Sequence, residues 1–362
     1  MFEALPLEQK VGQLFFIGIS GPQMDEATRD LLDEVSTGGI CFFTRNIREA
    51  EQTRELTDSL RAASATPLLL SIDQEGGLVD RLRRIATPMP AANKIKTAED
   101  AAELASIIAE SLLLLGLNMD FAPVVDVIDD ERARATNGLF SREFGRSKES
   151  VVELAGAFLA TLQAAGITGC LKHFPGLGAS KVDSHEELPI VDVPESELFS
   201  TDLFPYAKLL DQARAVMIAH ATFPQLALQE KDQNGKLLPS SLSFNLITQL
   251  LRERLGFNGL VITDDLEMGA IIKNYGIGDA CVMAVNAGCD MLAICADADR
   301  IREGHKAVVA AVKSGKITEE RLTESLERIA TIKHESREPL PYSADRLKEL
   351  SDRTAALNER LG

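Results

Sequence analysis

A single (β/α)8 barrel of the TIM type is the fold class the sequence predicts, on three observations. Eight short apolar runs rich in Val, Ile and Phe recur along the chain. Helical patterns fill the gaps between most of them, as a barrel of alternating strands and helices requires. No Gly-x-Gly-x-x-Gly follows the first run, which disfavours a doubly wound sheet. The length agrees: 362 residues suit two ordinary domains or one large barrel.

The runs, in order, are Val11–Ile19, Gly39–Phe43, Pro67–Ile72, Leu117–Val125, Ile167–Lys172, Ala215–Ala219, Leu260–Thr263 and Asp290–Ile294. Their four to nine residues and unbroken apolar character fit strands buried on both faces of a parallel sheet. Glu99–Leu115 and Lys148–Ala165 carry helical periodicity. So does Ser243–Leu255, closed by Gly256, a residue that tolerates a left-handed C-cap. A further helix starts near Thr318, where Glu319 and Glu320 suit the positive end of the dipole. The prolines of Glu335–Tyr342 end it, and a final helix, Ala344–Leu361, straps onto the barrel. The expected organisation is one barrel domain over residues 1–335, then a linker and packed helix over 336–362.

The charge sum, 38 basic against 55 acidic residues, gives −17 spread along the chain. Such a surface repels polyphosphate, so nucleic acid and anionic membranes are poor partners. The five cysteines are odd in number, lack a Cys-x-x-Cys pair and sit among apolar neighbours, which predicts buried free thiols. The N-terminal segment lacks a basic stretch followed by a cleavable apolar one, and no apolar run approaches the ~18 residues of a membrane span. These features predict a cytoplasmic protein.

In a barrel of this kind the active site is built at the C-terminal strand ends, and the unusual polar residues gather there. The third strand runs into Ser71-Ile-Asp73-Gln-Glu75, with Arg81 following, and the fourth into Asp126. The fifth ends in Lys172-His173 and leads to Asp183-Ser-His185. The sixth ends in His220 and the seventh in Thr263-Asp264-Asp265. Taken alone, an acidic residue after a strand commonly caps the next helix, and His220 reads as a hydrogen-bonded structural residue. Five clusters on one rim ask for a shared chemistry.

Metal-assisted hydrolysis would use His and Asp, but His173 and His185 lack the spacing of a ligand pair. Asp183-Ser184-His185 holds the residue types of a nucleophilic triad, yet adjacent side chains in one loop cannot form that relay. Asp183 and His185, two apart, can instead set a carboxylate against an imidazole, which fixes the ring for acid–base work. Glycosidic bond cleavage needs a carboxylate to meet the anomeric carbon and an acid for the leaving oxygen. Asp264 and His185 can supply them, with Lys172, Arg142 and Arg81 gripping sugar hydroxyls and Asp73 accepting from them.

Several segments resemble the bacterial β-N-acetylglucosaminidases of glycoside hydrolase family 3. Asp73-Gln-Glu-Gly-Gly-Leu-Val-Asp-Arg81 resembles the family's DQEGGxVxR element, and Asn118-Met-Asp-Phe-Ala-Pro-Val-Val-Asp126 its N-x-x-FAPVxDV strand. Lys172-His-Phe-Pro-Gly-Leu-Gly178 with Asp183-Ser-His185 is similar to its KHFPGHG…DSH signature. The stretch Leu255–Met268 is similar to its LGFxGxxxSDDLxM strand. The likeness spans Leu7 to Ile332.

The resemblance implies hydrolysis of terminal β-linked N-acetylglucosamine with retention, without metal or other cofactor, on a small carbohydrate substrate such as a cell-wall muropeptide. It implies Asp264, rather than Asp265, as nucleophile and His185 as acid/base with Asp183 as its partner. It implies sugar contacts from Asp73, Arg81, Arg142, Lys172 and His173. Three departures stand out: Leu177 replaces the second histidine of KHFPGHG, Leu78 replaces the arginine of DQEGGR, and Asp129–Gly138 lacks the usual Asn-Pro pattern. Two alternatives stay open. One is a glycosyl phosphorylase, since a histidine acid/base does not repel phosphate; the other is a non-catalytic sugar-binding barrel.

Overall fold

Eight strands close into a parallel barrel, β1 (Phe15–Gly18), β2 (Gly39–Phe42), β3 (Leu69–Ile72), β4 (Met119–Asp120), β5 (Thr168–Phe174), β6 (Ala215–Ile218), β7 (Leu260–Asp265) and β8 (Met291–Ile294). The computed structural model describes residues 1–134, 139–182 and 187–362. Each strand pairs with its sequence neighbours, and β8 closes on β1 with Ile17 opposite Ile294. A hairpin joining Gln74–Gly76 to Val79–Asp80 rises from the end of β3.

Strands β1 to β3, β5, β6 and β8 are buried along their whole length, which explains their largely apolar character. Inside, Phe16 meets Phe121 edge to face at 5.4 Å, and its ring lies where a Cβ on Gly39 would collide at 2.3 Å. All five cysteines are free and buried.

The helices that follow the strands are α1 (Glu26–Val35), α2 (Ala50–Ala63), α3 (Ala98–Leu114), α4 (Lys148–Ala164), α5 (Phe204–Leu209), α6 (Asn245–Arg254), α7 (Ile277–Ala287) and α8 (Ala298–Lys313). They are followed by α9 (Glu319–Glu335) and α10 (Ala344–Leu361). Side-chain caps mark several starts: Thr97, Ser147, Thr318 and Ser343 each accept a backbone N–H three residues on. In α10, Leu347, Leu350, Thr354, Leu357 and Leu361 form one buried stripe at helical spacing. Arg346, Arg353 and Arg360 bind Glu110, Glu103 and Asp100, fastening α10 along α3.

At the opposite end from the strand tips, buried Asp290 accepts from Arg252 at 2.6 Å and from Arg321 and Arg328 at 2.7 and 3.1 Å. Nearby, the Lys333 ammonium is buried against Gln13 Oε1 at 2.7 Å with the Phe2 ring beside it.

Two expected strands need correction. Val11 and Gly12 belong to a short helix, Leu7–Gly12, so the first strand begins only at Phe15. The apolar run is continuous across that junction, and composition alone does not separate its helical from its extended half. Leu117–Val125 pairs as a strand only at Met119–Asp120, with a lone bridge from Val124 to Lys172. Pro123 lacks the N–H a ladder needs. The fifth strand reaches two residues further than expected, carrying His173 and Phe174 within it.

Candidate active site

The strand tips converge on one pocket lined by Asp73, Arg81, Arg142, Lys172, His173 and Asp264. Six of the eight residues expected from the sequence are therefore brought together; the other two, Asp183 and His185, lie outside the described residues. β5 delivers Lys172 and His173, β7 delivers Asp264, and the loops after β3 and β4 deliver the rest.

The hairpin after β3 sets the acidic side. Gly76 has φ +87°, and a Cβ there would strike the Pro90 carbonyl at 2.2 Å, so glycine is required for this turn. Gln74 locks the hairpin, donating to Asp80 at 2.8 Å and accepting from the Arg81 and Leu82 amides at 3.0 and 3.1 Å. Glu75 is thereby held under the pocket floor.

Lys172 Nζ lies 2.8 Å from Asp73 and 2.6 Å from Glu75. Arg142 clasps both oxygens of Glu75 at 2.8 and 2.9 Å, and Arg81 lies 3.6 Å from Asp73. Burial alone would raise the carboxyls, but Arg142 and Lys172 hold Glu75 well below the usual range, and Lys172 and Arg81 hold Asp73 below it. Against its own burial, Lys172 is kept charged by Asp73 and Glu75. Arg142, which adjoins Glu143 in sequence, thus pairs inward with Glu75.

His173 Nδ1 sits 2.7 Å from buried Asp126, which also accepts the Leu177 amide at 2.6 Å. That carboxylate fixes the ring and the start of the following loop together. Asp120, beneath the hairpin, takes the Gln74 amide at 2.9 Å. Burial raises its pKa well above the usual range, reinforced by the charges of Asp73 and Glu75.

On β7, Asp264 Oδ1 accepts the Asp265 amide at 2.8 Å, and Asp265 accepts the Glu267 amide at 3.0 Å. Burial, with Glu267 and Asp264 nearby, pushes Asp265 up to about 7. His220 is buried between Ser241 at 2.7 Å and the Asp265 carbonyl at 3.0 Å, the structural role its sequence position allowed.

Residues 6–332 match the model described as the Glycosyl hydrolase family 3 N terminal domain. The chain belongs to glycosyl hydrolase family 3. A β-hexosaminidase of Pseudomonas aeruginosa (strain PAO1) is 35% identical over 309 residues, covering 83% of this chain and 87% of the relative. One from Haemophilus influenzae is 33% identical over 312 residues, covering 84% and 83%. Among solved structures, a family 3 β-N-acetylglucosaminidase from Paenibacillus sp. FPU-7 matches with a TM-score of 0.89 and 37% identity, covering 98% of this chain and 69% of that one.

In this family 3 glycoside hydrolase, three residues that the sequence placed at strand ends without a role make contacts around the pocket. Glu75 is the hub of the cationic cluster, Asp126 orients His173, and Asp265 is the titrating neighbour of Asp264. The available signal was that each is an acidic residue at or beyond the end of an apolar run. Among the described residues, no group of three His, Cys, Asp or Glu is placed to hold a metal ion, and no helix is long and apolar enough to cross a membrane.

Proposed function

We propose that this glycoside hydrolase is an exo-acting, retaining β-N-acetylglucosaminidase, with Asp264 as nucleophile and His185, oriented by Asp183, as acid/base. The observation that carries the reading is a contrast among carboxylates. Asp73 and Glu75 are committed to cations, whereas Asp264 has no ion-pair partner among the described residues and keeps one oxygen clear of the Asp265 amide. A carboxylate free to attack is what a covalent mechanism needs. The names of the relatives support the sugar.

In the first step Asp264 bonds to the anomeric carbon while the glycosidic C–O bond breaks, and His185 gives its proton to the departing oxygen. In the second, His185 takes a proton from water, whose oxygen bonds to the anomeric carbon as the Asp264 ester bond breaks. Two displacements restore the original configuration. Asp73, Lys172, Arg142, His173 and Arg81 hold the sugar. Arg81 Nε is buried and has no acceptor among the described residues, so it has a hydrogen bond to give. All steps use side chains alone, and the scheme requires no cofactor. Cytoplasmic turnover of cell-wall muropeptides is the proposed setting, and the aglycone is selected by the rim of the pocket.

NMR of the first-formed sugar from a nitrophenyl 2-acetamido β-glycoside tests the scheme: the β-anomer is expected, and an initial α-anomer overturns retention. A preference for the β-glucoside overturns the sugar assignment. Release of sugar 1-phosphate in phosphate buffer would make the enzyme a phosphorylase.

A further inference from the structure

The pocket has an apolar side. Lys172, His173 and Asp264 come from strand ends and Asp73, Arg81 and Arg142 from the loops after β3 and β4, but the loops also bring apolar side chains to the pocket. Val79, Leu139 and Leu177, from the loops after β3, β4 and β5, all line the pocket. Val182 continues this wall outward and is 37% exposed. Ser180 is the polar residue on this side, and its hydroxyl already donates to the Val182 carbonyl at 2.8 Å.

Apolar side chains that line an open pocket mark a binding surface for apolar groups. Continuity with the sugar pocket fixes the occupant: the group on the far side of the scissile oxygen. A hydroxyl-rich sugar there would lose hydrogen bonds to water and find side chains unable to replace them. Val79, Leu139, Leu177 and Val182 have no π face to offer a sugar ring. We infer that the aglycone site selects an apolar group, alkyl, acyl or aryl, over an unsubstituted second sugar such as the one in a chitin fragment. Val79 and Val182 then determine specificity. The inference rests on the glycosidase reading above.

The test is a series of alkyl 2-acetamido-β-glucosides from methyl to hexyl, set beside the β-1,4-linked disaccharide of N-acetylglucosamine. The alkanols leave with nearly equal acidity, so chain length changes contact and not chemistry. A fully buried methylene is worth about a fourfold gain. With burial only partial, kcat/KM is expected to rise roughly 30-fold from methyl to hexyl, with the disaccharide below hexyl. Serine at 79 and 182 together (Val79→Ser, Val182→Ser) should cut the hexyl-to-methyl ratio to about fivefold or less. Neither position is buried, so the fold should tolerate the changes.

A flat alkyl series, with the methyl glycoside cleaved, overturns this inference and leaves the glycosidase reading intact. A disaccharide turned over faster than the hexyl glycoside does the same. If no 2-acetamido glycoside is cleaved, nitrophenyl included, the function reading fails and this inference with it.

Discussion

Lys172 Nζ and Glu75 lie 2.6 Å apart almost entirely out of solvent, with Arg142 closing on the same carboxylate. Removing the carboxylate charge leaves two buried cations with one remaining neighbour, Asp73. Breaking such a pair typically costs roughly 3–5 kcal/mol. Glu75→Gln, which keeps the shape and one acceptor, should fall at the lower end, about 3 kcal/mol, read as the shift in urea unfolding. Glu75 has a folded-state pKa below its ordinary 4.5. Its contribution is therefore complete above that value and lost as pH falls below it. Wild type and Glu75→Gln should converge in strongly acidic solution, and equal stabilities at pH 7 would contradict the role assigned to the pair.

Asp264→Ala and His185→Ala should fail differently. The first removes the group that meets the anomeric carbon, so all substrates suffer whatever their leaving group. The second removes proton transfer, typically worth ~10²–10⁴-fold. Its loss should be large for alkyl and sugar leaving groups and small for dinitrophenolate in the first, pre-steady-state turnover. Asp183→Ala should follow His185→Ala more weakly. An identical factor across leaving groups would strip His185 of the acid role.

Asp265 and Asp264 are adjacent but should be separable. With its pKa raised from 3.8 to about 7, Asp265 keeps its proton in the folded protein while the unfolded chain releases it. Stability therefore falls as pH climbs from about 4 to 7. Asp265→Asn should be more stable than wild type above pH 7, by about 2–4 kcal/mol, with the gain fading toward pH 4. Its activity should stay within about tenfold of wild type, the span of a lost proton-tuning neighbour, while Asp264→Asn loses at least ~10³-fold. Comparable losses from the two variants would merge their roles.

Lys333 has the opposite sign. Desolvation lowers its amine to about 7 from 10.5, so between those values the unfolded chain binds a proton that the folded protein lacks. Wild-type stability then rises with pH across that window. Lys333→Met should exceed wild type at pH 6, and its advantage should shrink by about 1.4 kcal/mol per pH unit above 7. Parallel stability profiles would mean that Lys333 titrates normally.

Local patterns were readable where one segment decides the outcome. Thr318 caps α9 as its acidic successors implied, and Ala344–Leu361 is the final helix to the residue. The convergence of Asp73, Arg81, Lys172, His173 and Asp264 was readable because strand ends in a barrel share one rim, whereas Arg142 came from the family resemblance. What escaped was pairing across distance. Glu75 and Arg142 are 67 residues apart, and nothing near either position marks the other as its partner. The Val11–Ile19 boundary escaped for another reason: helix and strand halves are equally apolar there, and burial on all sides erases the period that would separate them.

The three arginines gathered on Asp290 tie the start of β8 to α6 and α9 at the end of the barrel remote from the strand tips. Much of the electrostatic fastening of the scaffold is therefore independent of the loops that meet the substrate. Such a molecule behaves as a chassis with exchangeable fittings. Loops after β3, β4 and β5 taken from a relative should transplant with modest thermal penalty, carrying their aglycone preference with them. Engineering or natural divergence can rewrite selectivity from above without renegotiating the foundation.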